Sequence, residues 1–365
     1  VRGHFHGCSP EWSCLELVGE APSPRKEAPG PPREQPSVDE LQPLIDAVRM
    51  ACELCRRVRA SEAGFSRKGD ASPVTIADYG AQALLCRTLL RHFPEDGVIA
   101  EEGGEAFLTL APQEREEAVR LVGKLLSERV SEDEFVRWLN HGRGVKGDRT
   151  WVIDPIDGTE GFIHGRTYAV CIGTLVEGAP VDGLIGAPVS PLDESGTLFY
   201  TRGGKAWAEP LEVPEDMVPR ELSVSDRVDP RSLRVVESYV MGRRAREIAD
   251  RVYAEAGVDA RRLKRYDGML KYALVAAGAA DLFIRGPRDI RKNPHKVWDH
   301  VAGTALVHAA GGKVTGLDGR SVEFGAGAEL RTLGFIASNG RIHMHMVEAM
   351  GRAAGEEWGF LPRAD

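Results

Sequence analysis

The run Asp154-Pro155-Ile156-Asp157-Gly158-Thr159, set directly after the apolar Trp151-Val152-Ile153, constrains this chain more than any other stretch. It reads as a strand that ends in a tight turn presenting two carboxylates and a hydroxyl. Pro155 stiffens the run and Gly158 frees the backbone after it, so both Asp side chains can be aimed without long flexible stems. Mg²⁺ demands oxygen ligands in near-octahedral geometry, and this is a donor set of that kind. Two Asp residues in a turn also occur in plain loops. The rest of the chain therefore decides the reading.

Four further blocks lie in register with it. Upstream are Lys68-Gly69-Asp70-Ala71-Ser72-Pro73-Val74-Thr75-Ile76-Ala77-Asp78 and Gly97-Val98-Ile99-Ala100-Glu101-Glu102. Downstream are Val297-Trp298-Asp299-His300-Val301-Ala302-Gly303 and Ala310-Gly311-Gly312-Lys313-Val314. In this order the blocks resemble the Mg²⁺-dependent, lithium-sensitive phosphatases of the inositol monophosphatase superfamily, over roughly residues 37 to 350. Ser72 to Gln82, Asp154 to Phe162 with Tyr168-Ala169-Val170 soon after, and Val297 to Gly303 are most similar to its 3′(2′),5′-bisphosphate nucleotidase branch.

The resemblance implies an α+β fold: a layered α-β-α-β-α sandwich of the inositol monophosphatase/fructose-1,6-bisphosphatase type, two lobes with the site between them. It implies two or three Mg²⁺ ions held by Glu101, Asp154, the carbonyl of Ile156, Asp157 and Asp299. Asp78 and Thr159 would hold and deprotonate the attacking water, Asp78 as the base because a Thr hydroxyl is too weak an acid to act alone; helix capping is the plainer role for Asp78. Gly158 would let the backbone approach a phosphate. On the substrate side Lys271 and Arg285 match the branch, whereas Gly268 stands where it has Ser, Arg243 where it has His, and Glu160 where it has Lys. The implied activity is hydrolysis of adenosine 3′,5′-bisphosphate to AMP, a reaction of sulfur metabolism. Alternatives are an inositol polyphosphate 1-phosphatase or inositol monophosphatase, and a catalytically silent nucleotide-binding homologue. The intact acidic set argues against the last.

Composition narrows the partners. A chain of 365 residues with net charge −8 does not carry the basic field that nucleic acid polymers require, but a basic pocket could hold a small phosphorylated substrate. No apolar run is long enough for a membrane span. Cys8, Cys14, Cys52, Cys55, Cys86 and Cys171 are too sparse for a disulfide framework, which fits a reducing compartment, cytoplasm or plastid. Cys52 and Cys55 form a C-x-x-C inside a helical pattern, where core-facing thiols are expected. His4, His6 and Cys8, and His343 with His345, lack convergent ligands. A monomer and a homodimer are both compatible with the sequence.

Residues 1–36, rich in Pro and without apolar period, read as disordered. Residues 37–210 read as an α+β lobe bearing the metal motifs, and 211–365 as an α/β lobe bearing substrate-side residues. Ser37 and Glu40 form a capping-box signature before a helix with Leu41, Leu44, Ile45, Val48, Cys52 and Cys55 on one face. A second helix spans Asp78 to Phe93, closed by Pro94, and Val98 to Ala100 is a short buried strand. Phe107 to Gly147 reads as a helical, charge-rich, solvated flank. Tyr168 to Val176 and Val181 to Pro188 form a hairpin around Glu177 to Pro180, followed by strand Thr197 to Thr201, the turn Gly203-Gly204 and a return through Trp207. After a Pro-bearing linker, Glu209 to Glu221, come strand Leu233 to Val236, helices Arg243 to Ala256 and Leu270 to Ala277, strand Asp281 to Ile284, helix Trp298 to Ala310 and strand Lys313-Val314.

Overall fold

The computed structural model describes residues 40–60, 65–67, 73–214 and 217–358. The expectations for residues 1–36, the Ser37 cap and Lys68 to Ser72 lie outside the described residues. The helices are α1 Gln42–Ala60, α2 Ile76–His92, α3 Gly104–Leu108, α4 Pro112–Leu126, α5 Glu132–Leu139, α6 Thr159–Ile163, α7 Arg243–Ala256, α8 Leu270–Ala276, α9 Val301–Ala309 and α10 His343–Trp358. The strands of the first half are β1 Phe65–Arg67, β2 Pro73–Thr75, β3 Gly97–Ala100, β4 Arg149–Asp157, β5 Ala169–Val176, β6 Ala179–Ala187, β7 Thr197–Arg202, β8 Lys205–Pro210 and β9 Arg220–Leu222. Those of the second are β10 Val235–Ser238, β11 Lys264–Tyr266, β12 Leu282–Arg285, β13 His295–Lys296, β14 Lys313–Gly316, β15 Glu329–Leu330 and β16 Phe335–Ser338.

Two sheets organise these elements. The first runs β3-β4-β5-β6-β7-β8-β9, antiparallel except for the parallel pair β3–β4. The second runs β11-β10-β12-β16-β14, with β10 parallel to both neighbours and β16 antiparallel to both of its own. Helices α1 and α2 cover one face of the first sheet, α8 and α9 lie between the sheets, and α7 with α10 covers the far face of the second. The layering is α-β-α-β-α. Each interface has its own apolar cluster, centred on residues such as Leu44 and Leu85, Leu306 and Phe335, and Val252 and Met350. The middle layer sits close because β6 has Gly183 where α9 crosses: a Cβ there would lie 2.2 Å from the Ala302 carbonyl oxygen.

The structure departs from the sequence reading at several points. Asp154 to Asp157 is no turn: β4 continues through it, and a bulge lets Asp154 pair with Cys171 and Asp157 with Ala169. Pro155 cannot donate to a ladder, and a bulge is where a strand tolerates that loss. The 107–147 insert is more than a solvated flank, because Phe107, Ala118, Val122, Phe135 and Leu139 are fully or almost fully buried, and α4 and α5 pack on α2. Helix α2 is buried on nearly every face, so it needs cover where α1 and the sheet do not reach. The hairpin turn is only Glu177-Gly178, both at positive φ (50° and 79°), the conformation a two-residue turn between twisted strands requires. Val297–Asp299 is a 3₁₀ turn ahead of α9, not its first residues. Strands β11 and β16 and helix α10 went unread. The first is a polar edge strand and the second is four residues long. No helix among the described residues is long and apolar enough to cross a membrane.

Candidate active site

The bulge at the end of β4 places the first acids. Asp154 is almost wholly buried and Asp157 half-buried, at the edge where the strand gives way to α6. Gly158 begins that helix at φ 93°. A Cβ on Gly158 would lie 2.9 Å from the Gly268 nitrogen, and one on Gly268 (φ 69°) would lie 2.4 Å from the Asp157 carbonyl oxygen. Two facing glycines thus let the β4 terminus meet the turn before α8. Gly268 has no room for the Ser that the resemblance expects there. The Thr159 hydroxyl donates to the Ile156 carbonyl at 3.2 Å.

Pairing sets Glu101 beside Asp154. Ala100 is in register with Ile153, and the Glu101 amide continues the ladder to the Ile153 carbonyl at 3.3 Å. Gln82 holds the next residue with both ends of its amide, accepting from the Glu102 N–H at 2.9 Å and donating to the Glu102 carbonyl at 2.7 Å. Asp78, buried in the first turn of α2, precedes Gln82 by four residues, so both lie on one helix face. Asp78 therefore sits inside the helix rather than at its cap.

Asp299 comes from the 3₁₀ turn that packs on β4 and β5. Its neighbour His300 is buried and stacked on Phe335, ring centroids 3.8 Å apart. His300 Nδ1 bonds the Tyr272 hydroxyl at 2.8 Å and Nε2 faces His295 Nδ1 at 3.3 Å. This chain locks the backbone that presents Asp299. Sequence reasoning missed it, since none of its members stands out by spacing.

The acids form one electrostatic unit. Burial, then Glu101, Asp157, Asp299 and Asp78, holds the Asp154 carboxyl well above the usual carboxylate range. Glu101 keeps an exposed surface, yet the protein crowded around it, then Asp78, Glu102, Asp299 and Asp157, raises its carboxyl as well. Asp157 is pushed up to about 7 by burial and Asp299, against the pull of Lys271, Arg285 and the Met269 N–H. Burial also raises Asp299, with Arg285 and Arg288 opposing. One oxygen of Asp154, Oδ1, is buried without a hydrogen-bond partner, which costs free energy unless something positive meets it. An all-oxygen set with an orphaned buried carboxylate oxygen fits a hard divalent cation. Among the described residues no three His, Cys, Asp or Glu side chains converge tightly enough to clasp an ion unaided. Mg²⁺ keeps several waters and takes the remainder from one or two carboxylates and substrate oxygens, so a looser ring suits it.

Facing the acids is a basic side. Lys271 is buried, its Nζ donating to the carbonyls of Tyr266 (3.2 Å) and Gly268, and burial lowers it to about 8 against the opposing charge of Asp157. Arg285 ends β12 and acts on both Asp157 and Asp299. Arg243 is not drawn in: its side chain is 93% exposed and points to Glu247 at 3.6 Å, because the first residue of a helix on the outer layer faces water. Glu160 is likewise exposed, 3.2 Å from His164. Residues the sequence did not single out complete the rim. Arg166 pairs with Asp267 at 2.8 Å and lies over the Tyr239 ring, tying the segment after α6 to the second sheet.

A model of the inositol monophosphatase family matches residues 38–354 of the chain. The 3′(2′),5′-bisphosphate nucleotidase of Emericella nidulans is 31% identical over 347 residues, covering 83% of this chain and 95% of its own. The 3′(2′),5′-bisphosphate nucleotidase of Oryza sativa is 30% identical over 342 residues, covering 85% and 93%. Among solved structures, the Thermotoga maritima IMPase superposes with a TM-score of 0.60 at 22% identity, covering 87% of this chain and 99% of that one, a likeness of fold.

Proposed function

This chain belongs to the inositol monophosphatase family, and from that premise we propose that it is a Mg²⁺-dependent 3′(2′),5′-bisphosphate nucleotidase that converts adenosine 3′,5′-bisphosphate to AMP and phosphate. The observation that carries the reading is the coupled ring of Glu101, Asp154, Asp157 and Asp299 beside Asp78, faced by Lys271 and Arg285. Glu101, Asp154, Asp157, Asp299 and the Ile156 carbonyl would hold Mg²⁺, which when bound neutralises phosphoryl charge and makes water acidic. Asp78 accepts the proton of the attacking water. Thr159 spends its one hydrogen on the Ile156 carbonyl, leaving its oxygen to accept from that water and turn the water's lone pair outward. Lys271 and Arg285 offset the charge of an anionic substrate, and Gly158 lets the backbone lie against it.

Residues 37–210 and 211–365 are read as the two lobes that frame this site. Buried, unpaired Cys52, Cys55, Cys86 and Cys171 suit a reducing compartment such as cytoplasm or plastid. A second reading, an inositol phosphate phosphatase, is favoured by Gly268 and Arg243, which offer the pocket no side chain in place of the nucleotide-side Ser and His. Phosphate release from adenosine 3′,5′-bisphosphate, inositol 1,4-bisphosphate and inositol 1-phosphate with Mg²⁺ separates them. The nucleotide is expected to give the highest kcat/KM, and Asp154→Asn or Asp299→Asn to remove most turnover. Faster release from either inositol phosphate selects the second reading, and near-normal kcat in either variant at saturating Mg²⁺ overturns the metal assignment.

A further inference from the structure

A cavity of about 300 Å³ is bounded by the end of β10, the start of α7 and the segment after β12. Arg285 and Arg288 both line it, with Ser238 and Asn293. Both guanidinium groups are half-buried, and among the described residues neither takes part in a hydrogen bond or an ion pair. That is an uncommon state for two cations that repel each other: burial first and Arg285 second bring Arg288 down to about 10, with Asp299 opposing. Apart from Asp157 and Asp299, their setting does little to relieve them. The segment from Arg285 to Lys292 reads Arg-Gly-Pro-Arg-Asp-Ile-Arg-Lys, four cations to one acid, and that acid, Asp289, accepts from the Arg291 N–H. The wall contributed by α7 has no acidic residue in its first turn. The arginines are also held in place, because the Arg288 amide donates to the Leu333 carbonyl at 3.0 Å and Pro287 stiffens the approach.

We propose that Arg288, beside the Arg285 that the family resemblance already assigns to the substrate, is a second grip on the far phosphate of a bisphosphorylated substrate and the residue that separates bisphosphates from monophosphates. The inference rests on the phosphatase reading above and adds to it a residue that decides between substrates. Arg285 acts on both Asp157 and Asp299, whereas Arg288 acts on Asp299 and is not among the groups that act on Asp157. Paired guanidinium forks are the chemistry that recognises a tetrahedral dianion. Arg243, in solvent, does not share in it.

The test compares Arg288→Gln and Arg288→Lys with wild type. It measures kcat/KM on adenosine 3′,5′-bisphosphate and adenosine 3′-monophosphate with Mg²⁺, and equilibrium binding of adenosine 3′,5′-bisphosphate and AMP in EDTA. Arg288→Gln is expected to lower the bisphosphate-to-monophosphate ratio roughly ten- to a hundred-fold in kcat/KM, chiefly through KM, and in the same direction in binding. Lys should recover part of it, keeping the charge without the fork. An unchanged ratio, whether both substrates fall together or neither falls, overturns the proposal. If wild type prefers inositol 1,4-bisphosphate, the nucleotide reading fails on its own. The seat then stands if Arg288→Gln lowers the ratio of inositol 1,4-bisphosphate to inositol 1-phosphate by a similar factor, and falls if it does not.

Discussion

Asp157 is one place where function and stability conflict. Burial and Asp299 raise its carboxyl from 3.8 to about 7, so between those values the folded protein holds a proton that the unfolded chain has released. Stability of the metal-free protein therefore falls as pH rises through that window, and the loss is complete above about 7. Asp157→Asn removes the titrating group while keeping its shape. In EDTA the variant is expected to melt above wild type at pH 8, by about 1 kcal/mol or more, and to show a flatter pH profile, while losing activity. Thermal melts from pH 4 to 8 test this. A variant that melts below wild type at pH 8 would show that the carboxylate is stabilising as it stands. The same scale explains Gly268: its backbone lies against the Asp157 carbonyl, so a side chain there is excluded by contact, not by chemistry.

At the scale of elements, α2 is the strut of the site. It carries Asp78, and through Gln82 it grips the backbone beside Glu101. Its position depends on the insert helices, whose Phe135 packs on Phe107, which in turn packs on Tyr79 of α2, with ring centroids 4.8 and 5.3 Å apart. Phe135→Ala should cost about 3–5 kcal/mol, because a fully buried ring leaves a cavity that surrounding helices close only in part. Urea denaturation is expected to show the midpoint falling with the slope unchanged, together with weaker Mg²⁺ activation. A loss under 1 kcal/mol would return the insert to the solvated flank that its charge suggests.

At the scale of the whole molecule, α8 and α9 belong to both sheets, and Asp299, in the turn that leads into α9, packs on β4 and β5 of the first sheet beside the other acids. The sheets should consequently unfold together. Tryptophan fluorescence and far-ultraviolet circular dichroism are expected to give coincident urea transitions, and two separated midpoints would mean that each sheet has its own stable core. Much of this was legible in the chain. The period of α1, the hairpin of β5 and β6 and the βα alternation of the second half follow from local pattern, because each buries one face defined by residues a few positions apart. The acids were legible because each stands in a motif whose residue types the family resemblance singles out. Tertiary structure alone decided the rest. The bulge exists because β5 fixes the register across from Pro155. Arg243 lies in solvent because a helix start on the outer layer faces water, while the loop bonded to Leu333 brings Arg288 to the cavity wall. Local sequence sets what a residue can do. Which residues meet across a cleft depends on partners more than a hundred positions away, and no period of two or 3.6 encodes that.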